Sequence, residues 1–377
     1  MTSRDERGTK HNAQHTTHNA RSIGRSDHQT RWNGSYKERL FTLVVATMSK
    51  RTLDAFFSRA DSPKRTRTNA TSSAILPTAP VAGSIQTTNH STYPWPVPHL
   101  PGRVTEELEL QVTAQGKEIK DQPHLDLLYF QPFIPRSIER ELFTFLRSEL
   151  FFYRVKYTIK RFGKETLINT PRFTTVFGID ETSRFFNDGT QIVEASDLSK
   201  PVRKDKYKCR PRPIPECLDL LRRVTEANTN TKYNFCLVNY YASGSDSISF
   251  HSDDERFLGP DPAIASFTLG AKRDFLMKHK PPKGQEPKPE TRDIKIPLAS
   301  GDMVLMRGPT QSNWLHSIPK RKGGEAEKGR INITLRRAMI PAGTENYYRY
   351  NVGEGGVYKW DDSKREMLPW PGSNVPS

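Results

Sequence analysis

Residues 234–278 read NFCLVNYYASGSDSISFHSDDERFLGPDPAIASFTLGAKRDFLMK, and this stretch decides the fold. Short runs rich in β-branched and aromatic residues alternate with clusters of Gly, Pro, Ser and Asp, the pattern of strands joined by turns. Similar runs are FTTVFG (173–178), DIKIPL (293–298), DMVLM (302–306) and RINITLRR (330–337). The pattern predicts a mainly β fold with flanking helices (α+β), either a β-sandwich or a jelly roll.

The remaining chain falls into segments of different composition. Apolar residues at helical spacing predict a helix over 138–150, and a second helix is expected over 214–226, introduced by Pro215. Residues 1–100 carry too few apolar clusters to offset the entropy of ordering, which predicts a disordered basic tail. We therefore expect a linker over 101–124, the folded domain over 125–341 and a C-terminal extension over 342–377.

The charge balance favours a polyanionic partner. The chain has 58 Lys and Arg against 42 Asp and Glu, a formal charge of +16, and a pI near 9.7. Charge alone does not separate DNA from RNA or an anionic membrane surface. Cys209, Cys217 and Cys236 are an odd number without close zinc spacing, so a reducing compartment is expected. No apolar run of about 20 residues occurs, which predicts a soluble protein without a membrane partner.

One candidate metal site lies at the end of the strand SISFHSD. His251 and Asp253 are two residues apart and point to one face, and His316 follows further along the chain. Two histidines and one carboxylate can hold Fe(II) as a facial triad that leaves positions open for a co-substrate and dioxygen. An H-x-D pair alone is common, and the assignment of a metal site here is supported by the strand that follows His316.

Polar and apolar residues alternate along that strand, RINITLR (330–336). One face carries four hydrogen-bonding side chains, Arg330, Asn332, Thr334 and Arg336. Arginine binds carboxylates through paired hydrogen bonds, and 2-oxoglutarate has a carboxylate at each end. Asn239 and Tyr241, also two apart, repeat the pattern. The alternative is an edge strand with solvated arginines, and the nearby triad favours the co-substrate site.

Together these motifs resemble the AlkB dioxygenases, in the branch that acts on double strands. The resemblance covers roughly residues 125–340 through NFCLVNYY, HSDDERFLGPDPAIASFTLGAKRDFLMKHK, WLHSIPKRK and RINITLRR, in family order. It implies a double-stranded β-helix (jelly roll) core, and Fe(II) on His251, Asp253 and His316, with 2-oxoglutarate and dioxygen as co-substrates. The implied 2-oxoglutarate contacts are Asn239, Tyr241, Arg330, Thr334 and Arg336, with Asn332 a lesser candidate. Arg330 would take the distal carboxylate and Arg336 the keto-acid end.

The resemblance also implies the reaction and the substrate. AlkB dioxygenases couple decarboxylation of 2-oxoglutarate to hydroxylation of the carbon on a base nitrogen, after which an aldehyde leaves and the base is restored. A base inside a duplex cannot reach buried iron, so it must be flipped out and held between flat surfaces. Phe177 in PRFTTVFG and the ligand His251 would sandwich that base, and Asp254 would contact it. The alternatives are a core role for Phe177 and a turn-capping role for Asp254.

The turn-like segment KRFGKET (160–166) resembles the finger by which this branch enters duplexes. Phe162, followed by Gly163, would fill the gap left by the flipped base, and Arg161 and Lys164 would contact phosphates. The alternative is an ordinary hairpin whose Phe folds inward. Further candidate phosphate contacts, unless their loop is only solvated, are Lys278, Lys280, Lys283 and Lys288.

A possible partner-binding motif, KRTLDAFFSR (50–59), lies in the tail. Leu53, Phe56 and Phe57 are spaced as in peptides that dock on the replication sliding clamp, although Lys50 replaces the usual Gln. The run SPKRTR (62–67) is compatible with nuclear import, which predicts a nuclear protein, and Met48 is an alternative start.

The sequence thus predicts a monomeric DNA repair enzyme that removes alkyl groups from bases such as 1-methyladenine and 3-methylcytosine in double-stranded DNA. Three alternatives stay open: the same chemistry on single-stranded DNA or RNA, a non-catalytic scaffold that binds DNA and the clamp, and a protein hydroxylase. The triad and both arginines count against the scaffold, and the finger and the charge count against the hydroxylase.

Overall fold

The computed structural model describes residues 85–110, 115–154, 156–161, 163–186, 189–281, 289–341 and 356–372. All of them belong to one compact unit, Thr78–Ser377. The sliding-clamp motif (Leu53, Phe56 and Phe57) and Phe162 lie outside the described residues. The predicted disorder of residues 1–84 is likewise untested there.

The described helices are α1 (Gly102–Glu109), α2 (Glu139–Glu149), α3 (Glu216–Thr229) and α4 (Thr310–Asn313), with 3-10 turns at Arg256–Leu258 and Gly324–Lys328. The first strands are β1 (Thr87–Thr88), β2 (Val97–Pro98), β3 (Lys117–Ile119), β4 (Leu127–Phe130), β5 (Phe152–Tyr153), β6 (Lys156–Arg161), β7 (Lys164–Asn169), β8 (Phe173–Gly178), β9 (Ser183–Phe186), β10 (Gln191–Glu194) and β11 (Asp197–Pro201). The others are β12 (Phe235–Tyr241), β13 (Ile248–His251), β14 (Ile264–Gly270), β15 (Arg273–His279), β16 (Ile294–Leu298), β17 (Met303–Met306), β18 (Trp314–Ile318), β19 (Arg330–Arg336), β20 (Val357–Asp361) and β21 (Glu366–Pro369).

Two antiparallel sheets form the core of the fold. The larger has the order β21-β20-β5-β8-β12-β19-β14-β17-β4-β3, and the smaller has the order β13-β18-β15-β16. These two sheets, with few helices, confirm the predicted jelly roll. Outside them, β9, β10 and β11 form a three-stranded sheet, and β6 and β7 form a hairpin of their own.

The large sheet separates an apolar face from a polar face. Val238 on β12, Ile333 on β19 and Phe267 on β14 lie side by side in register, and all three are fully buried. Helix α2, whose apolar residues include Leu142 and Leu146, packs near β14 and β20. The opposite faces of β12, β19 and β14 therefore carry the polar side chains, and the site forms there.

The predicted amino-terminal boundaries are wrong. Tyr93, Val97 and Leu100 are buried in the core, so the disordered tail does not reach residue 100. Residues 101–124 are not a linker, because α1 buries Val104 and Leu108 and β3 pairs with β4. Apolar residues here are sparse in sequence, and their burial depends on contacts with distant strands.

The C-terminal extension is part of the same domain. Strands β20 and β21 form a hairpin, and β20 pairs with β5 to prolong the large sheet. The guanidinium of Arg147 on α2 lies 3.8 Å from the ring centroid of Trp360, an arrangement that stabilises the hairpin by a cation–π contact. The predicted domain end at residue 341 is therefore wrong. None of the helices in the described part of the chain is long and apolar enough to cross a membrane.

Candidate metal and co-substrate site

Three side chains from two neighbouring strands and one loop converge in a cluster suited to a metal ion. His251 at the end of β13 lies directly opposite His316 on β18, and Asp253 follows in the loop after β13. One ligand atom from each of the three lies within 4.8 Å of the others. Nε2 of His251 and Nε2 of His316 are 4.0 and 3.8 Å from the carboxylate oxygens of Asp253. The sequence-predicted triad is thus brought together in space.

The protonation of this cluster favours cation binding. Burial by itself would raise the pKa of Asp253, but the charges of Arg336 and of the two histidines outweigh it, and the pKa is lowered. Burial, together with the charge of His251, lowers the pKa of His316 to about 3, against a smaller opposing effect of Asp253. At neutral pH the site therefore offers a carboxylate anion and a neutral imidazole lone pair.

Neighbouring groups fix the orientation of these ligands. Nδ1 of His251 donates to the carbonyl of Ser249 at 2.9 Å, which leaves Nε2 as the lone-pair nitrogen. The ring of Phe275 stacks on His316 at 5.4 Å between centroids. Oε1 of the buried Gln311 accepts the backbone N–H of Asp253 at 2.9 Å. Sequence reasoning missed Gln311, because no local pattern links it to the H-x-D motif.

The predicted co-substrate residues share the polar face of the large sheet. Arg330 lies opposite Tyr241, and Asn332 lies opposite Asn239, in the register of β19 with β12. On the other side of β19, Thr268 faces Asn332 and Ser266 faces Thr334. All seven residues of β19 are buried, so the alternative of a solvated edge strand is excluded.

Arg330 is the feature of this face that most clearly requires a ligand. Its Nη2 donates to Oγ1 of Thr268 at 2.8 Å, but Nε and Nη1 have no hydrogen-bond acceptor among the described residues. Burial lowers the pKa of Arg330 to about 10, offset in part by Tyr241, so the group stays charged at neutral pH. A buried guanidinium with two unused donors fits an incoming carboxylate.

Three other residues that were predicted to contact 2-oxoglutarate already form hydrogen bonds within the protein. Nδ2 of Asn332 donates to Ser266 Oγ and to the carbonyl of Phe267, at 2.9 and 2.8 Å, and Thr334 donates to the carbonyl of Leu237 at 3.2 Å. Nη2 of Arg336 donates to Oδ1 of Asp253 at 3.0 Å. Arg336 therefore links the co-substrate face to the metal cluster, whereas Asn332 and Thr334 tie β19 to its neighbours.

Comparison with known proteins agrees with this geometry. The family model described as the 2OG-Fe(II) oxygenase superfamily matches residues 129–336. The chain belongs to this superfamily. Buried donors for a dicarboxylate beside a His-Asp-His cluster are what an oxygenase dependent on Fe(II) and 2-oxoglutarate needs, and the residues present fit both groups.

The oxygenase also has relatives among curated proteins. It is 38% identical over 130 residues to the DNA oxidative demethylase ALKBH2 of Homo sapiens, covering 34% of this chain and 49% of that protein. It is 31% identical over 229 residues to ALKBH2 of Arabidopsis thaliana, with coverages of 57% and 67%. Identity to the alpha-ketoglutarate-dependent dioxygenase alkB homolog 3 of Mus musculus is 37% over 139 residues, with coverages of 36% and 48%. The predicted resemblance to the AlkB family is confirmed. The chain spans about half the length of the human and mouse relatives it matches.

Phe177, which was predicted to contact the substrate base, does not lie on the polar face of the large sheet. Phe177 on β8 pairs with Cys236, which in turn pairs with Leu335, so Phe177 lies on the apolar face of the sheet. It is fully buried and packs on Phe151 and Tyr93, with centroids 5.4 and 6.0 Å away. The interpretation that Phe177 sandwiches the substrate base is therefore wrong, and its alternative as a core residue holds.

Asp254 borders the metal cluster and pairs with a lysine. Its carboxylate accepts a hydrogen bond from Nζ of Lys280 at 2.6 Å, and the same Nζ donates a second hydrogen bond to the carbonyl of Gln311 at 2.8 Å. Burial would raise the pKa of Asp254, but its contact with Lys280 lowers it. The ammonium of Lys280 therefore already has partners within the protein. The ammonium of Lys278, another predicted phosphate contact, lies 4.2 Å from the ring centroid of the exposed Phe250. Lys283 and Lys288 lie outside the described residues.

The predicted finger lies where strands β6 and β7 form a hairpin. Strands β6 and β7 pair in register, with Arg161 opposite Lys164, and Gly163 has a φ of +78°, which a glycine adopts without strain. The side chain of Lys164 is exposed.

Proposed function

We propose that this protein is an Fe(II)- and 2-oxoglutarate-dependent DNA oxidative demethylase that removes alkyl groups from base nitrogens, with double-stranded DNA as the preferred substrate. The observation that carries the proposal is the buried Arg330, whose Nε and Nη1 have no acceptor among the described residues. Arg330 shares the polar face of β19 with Arg336, which binds Asp253 of the His-Asp-His cluster. The curated relatives called DNA oxidative demethylases support the choice of DNA.

Each residue of the site has a distinct role in this proposal. His251, Asp253 and His316 would hold the iron, and Arg336 would hold Asp253 in place through its 3.0 Å hydrogen bond. Arg330 and Tyr241 would bind the distal carboxylate of 2-oxoglutarate, and Asn239 would line the same site. When bound, Fe(II), 2-oxoglutarate and dioxygen would together supply the oxidant that hydroxylates the carbon on a base nitrogen, with 2-oxoglutarate converted to succinate and carbon dioxide.

The low exposure of the site serves this chemistry. Asp253, His316, Arg330 and Arg336 are all buried, so water is excluded from the charged groups and their interactions are strengthened. His251 is the more exposed ligand and marks the side from which a substrate would approach. Asp254, which follows the ligand Asp253 in the chain, would contact the base from this side.

The preference for duplex DNA rests on the hairpin of β6 and β7, which belongs to neither sheet of the jelly roll. Phe162 would occupy its turn and fill the gap left by a flipped base, with Arg161 and Lys164 on phosphates. The tail residues Leu53, Phe56 and Phe57 would recruit the monomeric enzyme to the replication sliding clamp in the nucleus.

The test is repair of 1-methyladenine in a short duplex, measured as unmodified adenine by mass spectrometry. Adenine should form only when Fe(II) and 2-oxoglutarate are both present, and the same lesion in a single strand should be repaired more slowly. Faster repair of the single strand, or of RNA, would assign the site to those substrates. Absence of repair on all three would reject the proposed function.

A further inference from the structure

The loop that carries the metal ligand Asp253 is supported by a short segment between β17 and β18. Oε1 of Gln311, on α4, accepts the backbone N–H of Asp253 at 2.9 Å. Gln311 and Asp253 are both buried, so water does not replace this hydrogen bond. Since a buried N–H without an acceptor is costly, the backbone position of Asp253 depends on Gln311.

The side chain of Lys280 extends this support to Asp254. Its Nζ donates to the backbone carbonyl of Gln311 at 2.8 Å and to the carboxylate of Asp254 at 2.6 Å. Its backbone N–H donates to the carbonyl of Asn313 at 2.7 Å. Lys280 is therefore joined to α4 at two points and to the loop after β13 at one. We call Gln311 and Lys280 the brace.

Helix α4 is held in place by contacts outside the metal cluster. Oγ1 of Thr310 accepts the backbone N–H of Asp126 at 2.9 Å and donates to the carbonyl of the same residue at 3.1 Å. The side-chain amide of Gln311 donates to Sδ of Met306 on β17 at 3.1 Å. Strand β18 follows α4 directly and carries the ligand His316. One segment of chain therefore supplies one metal ligand and orients another.

Two different anchors act on Asp253. Arg336 binds its carboxylate at 3.0 Å, whereas Gln311 binds its backbone. The keto-acid end of 2-oxoglutarate is predicted to lie against Arg336, so a bound co-substrate would share the donors of that guanidinium. The hydrogen bond from Gln311 is on the backbone, away from the carboxylate oxygens, and can persist when the co-substrate is bound.

We infer that Gln311 and Lys280 are positioning residues, which set the metal affinity of the site through Asp253 and hold Asp254 on the side of the substrate. The inference rests on the proposed function for its choice of Fe(II). Removing a group that orients a metal ligand typically lowers metal affinity by about 10- to 100-fold. Gln311 acts through the backbone of Asp253, and Lys280 acts through Gln311 and Asp254. The brace thus gives Lys280 a role other than the predicted phosphate contact.

The test measures Fe(II) affinity without turnover. Fe(II) is added anaerobically to the full chain in excess 2-oxoglutarate, and the visible charge-transfer absorption of the protein-bound Fe(II)–keto-acid chelate is recorded. Asp253→Ala supplies the background signal from metal bound elsewhere in the chain.

Three substitutions separate the hydrogen bond from general packing. Gln311→Met keeps the size of the side chain but removes the acceptor, and Gln311→Glu keeps an acceptor. The matched control is Thr88→Val on β1, outside both sheets of the jelly roll. It removes an Oγ1 that accepts the backbone N–H of Glu216 at 3.0 Å.

Gln311→Met should bind Fe(II) about 10- to 100-fold more weakly than the parent, whereas Gln311→Glu and Thr88→Val should bind it as the parent does. Thermal unfolding without metal should show similar losses for Gln311→Met and Thr88→Val, because each leaves one N–H without its acceptor. Parental Fe(II) affinity in Gln311→Met would overturn the inference, and so would an equal loss of affinity in Thr88→Val.

Lys280→Met and Lys280→Arg test the second member of the brace. Lys280→Met should weaken Fe(II) binding, and Lys280→Arg should restore it by keeping a cationic donor. The slope of log DNA affinity against log salt should be the same for Lys280→Met and the parent. A slope reduced by about 0.9 would assign Lys280 to a phosphate and overturn its place in the brace. A parent that binds no Fe(II) would overturn the proposed function together with the brace, whereas normal binding by both the parent and Gln311→Met would overturn the brace alone.

Discussion

Replacing Arg330 with leucine is the perturbation whose outcome is best defined by the structure. Arg330 is 1% exposed, and its Nε and Nη1 have no acceptor in the described part of the chain. A carboxylate bound there is buried against a charged partner, and removing one member of such a pair costs about 3 to 5 kcal/mol. At about 1.4 kcal/mol per factor of ten, Arg330→Leu should weaken 2-oxoglutarate binding by roughly two to three and a half orders of magnitude.

Thermal unfolding with added 2-oxoglutarate measures this loss without requiring catalysis. A ligand at about 100 times its Kd stabilises the parent by about 2.7 kcal/mol, and the same concentration should leave Arg330→Leu almost unshifted. Without ligand, the variant should be no less stable than the parent, because leucine removes a buried charge that has no carboxylate partner among the described residues. Arg330→Lys keeps the charge but loses the planar fork, so its affinity should be intermediate.

Arg223→Leu is the matched control, since its guanidinium lies on α3 and pairs with Glu216 and Asp219 on the protein surface. Its 2-oxoglutarate affinity should equal that of the parent. An affinity of Arg330→Leu within about threefold of the parent, well under the tenfold that 1.4 kcal/mol represents, would refute the assignment of Arg330 to the distal carboxylate.

The other predictions concern the metal, the hairpin and the tail. Asp253→Ala should reduce Fe(II) affinity by at least about tenfold in an equilibrium metal titration, because only two imidazoles remain as ligands; normal affinity would remove Asp253 from the site. Phe162→Ala should lower the ratio of duplex to single-strand repair rates, because it removes the stacking free energy of one aromatic ring. That free energy is about 1 to 3 kcal/mol, which corresponds to a change of roughly 5- to 150-fold. An unchanged ratio would remove the support for duplex preference. Phe56→Ala combined with Phe57→Ala should abolish clamp capture in a pull-down and leave repair of short oligonucleotides intact; retained capture would reject the motif.

The polar face of β19 could be predicted from sequence because its signal is periodic. Alternation along β19 identifies which residues share a face, and the register with β12 places Arg330 beside Tyr241. Phe177 was misassigned for a related reason. All six residues of β8 are buried, so alternation does not distinguish the two faces, and only pairing with Cys236 does.

The parts that sequence reasoning missed depend on contacts between distant residues. Gln311 becomes a support for Asp253 only through the packing of α4 against the loop after β13. The hairpin of β20 and β21 depends on Arg147 from α2, and α1 depends on a core that forms elsewhere in the chain. No local composition reports such partners, which explains why the predicted domain ends were too narrow on both sides.

The most direct test of the account is the stoichiometry of the reaction on a duplex that contains 1-methyladenine. Formaldehyde released, succinate formed from 2-oxoglutarate, and adenine restored should be measured in the same samples over time. The account predicts equal amounts of all three with the parent protein and none with Asp253→Ala. Succinate formed without restored adenine, or adenine restored without 2-oxoglutarate, would contradict it.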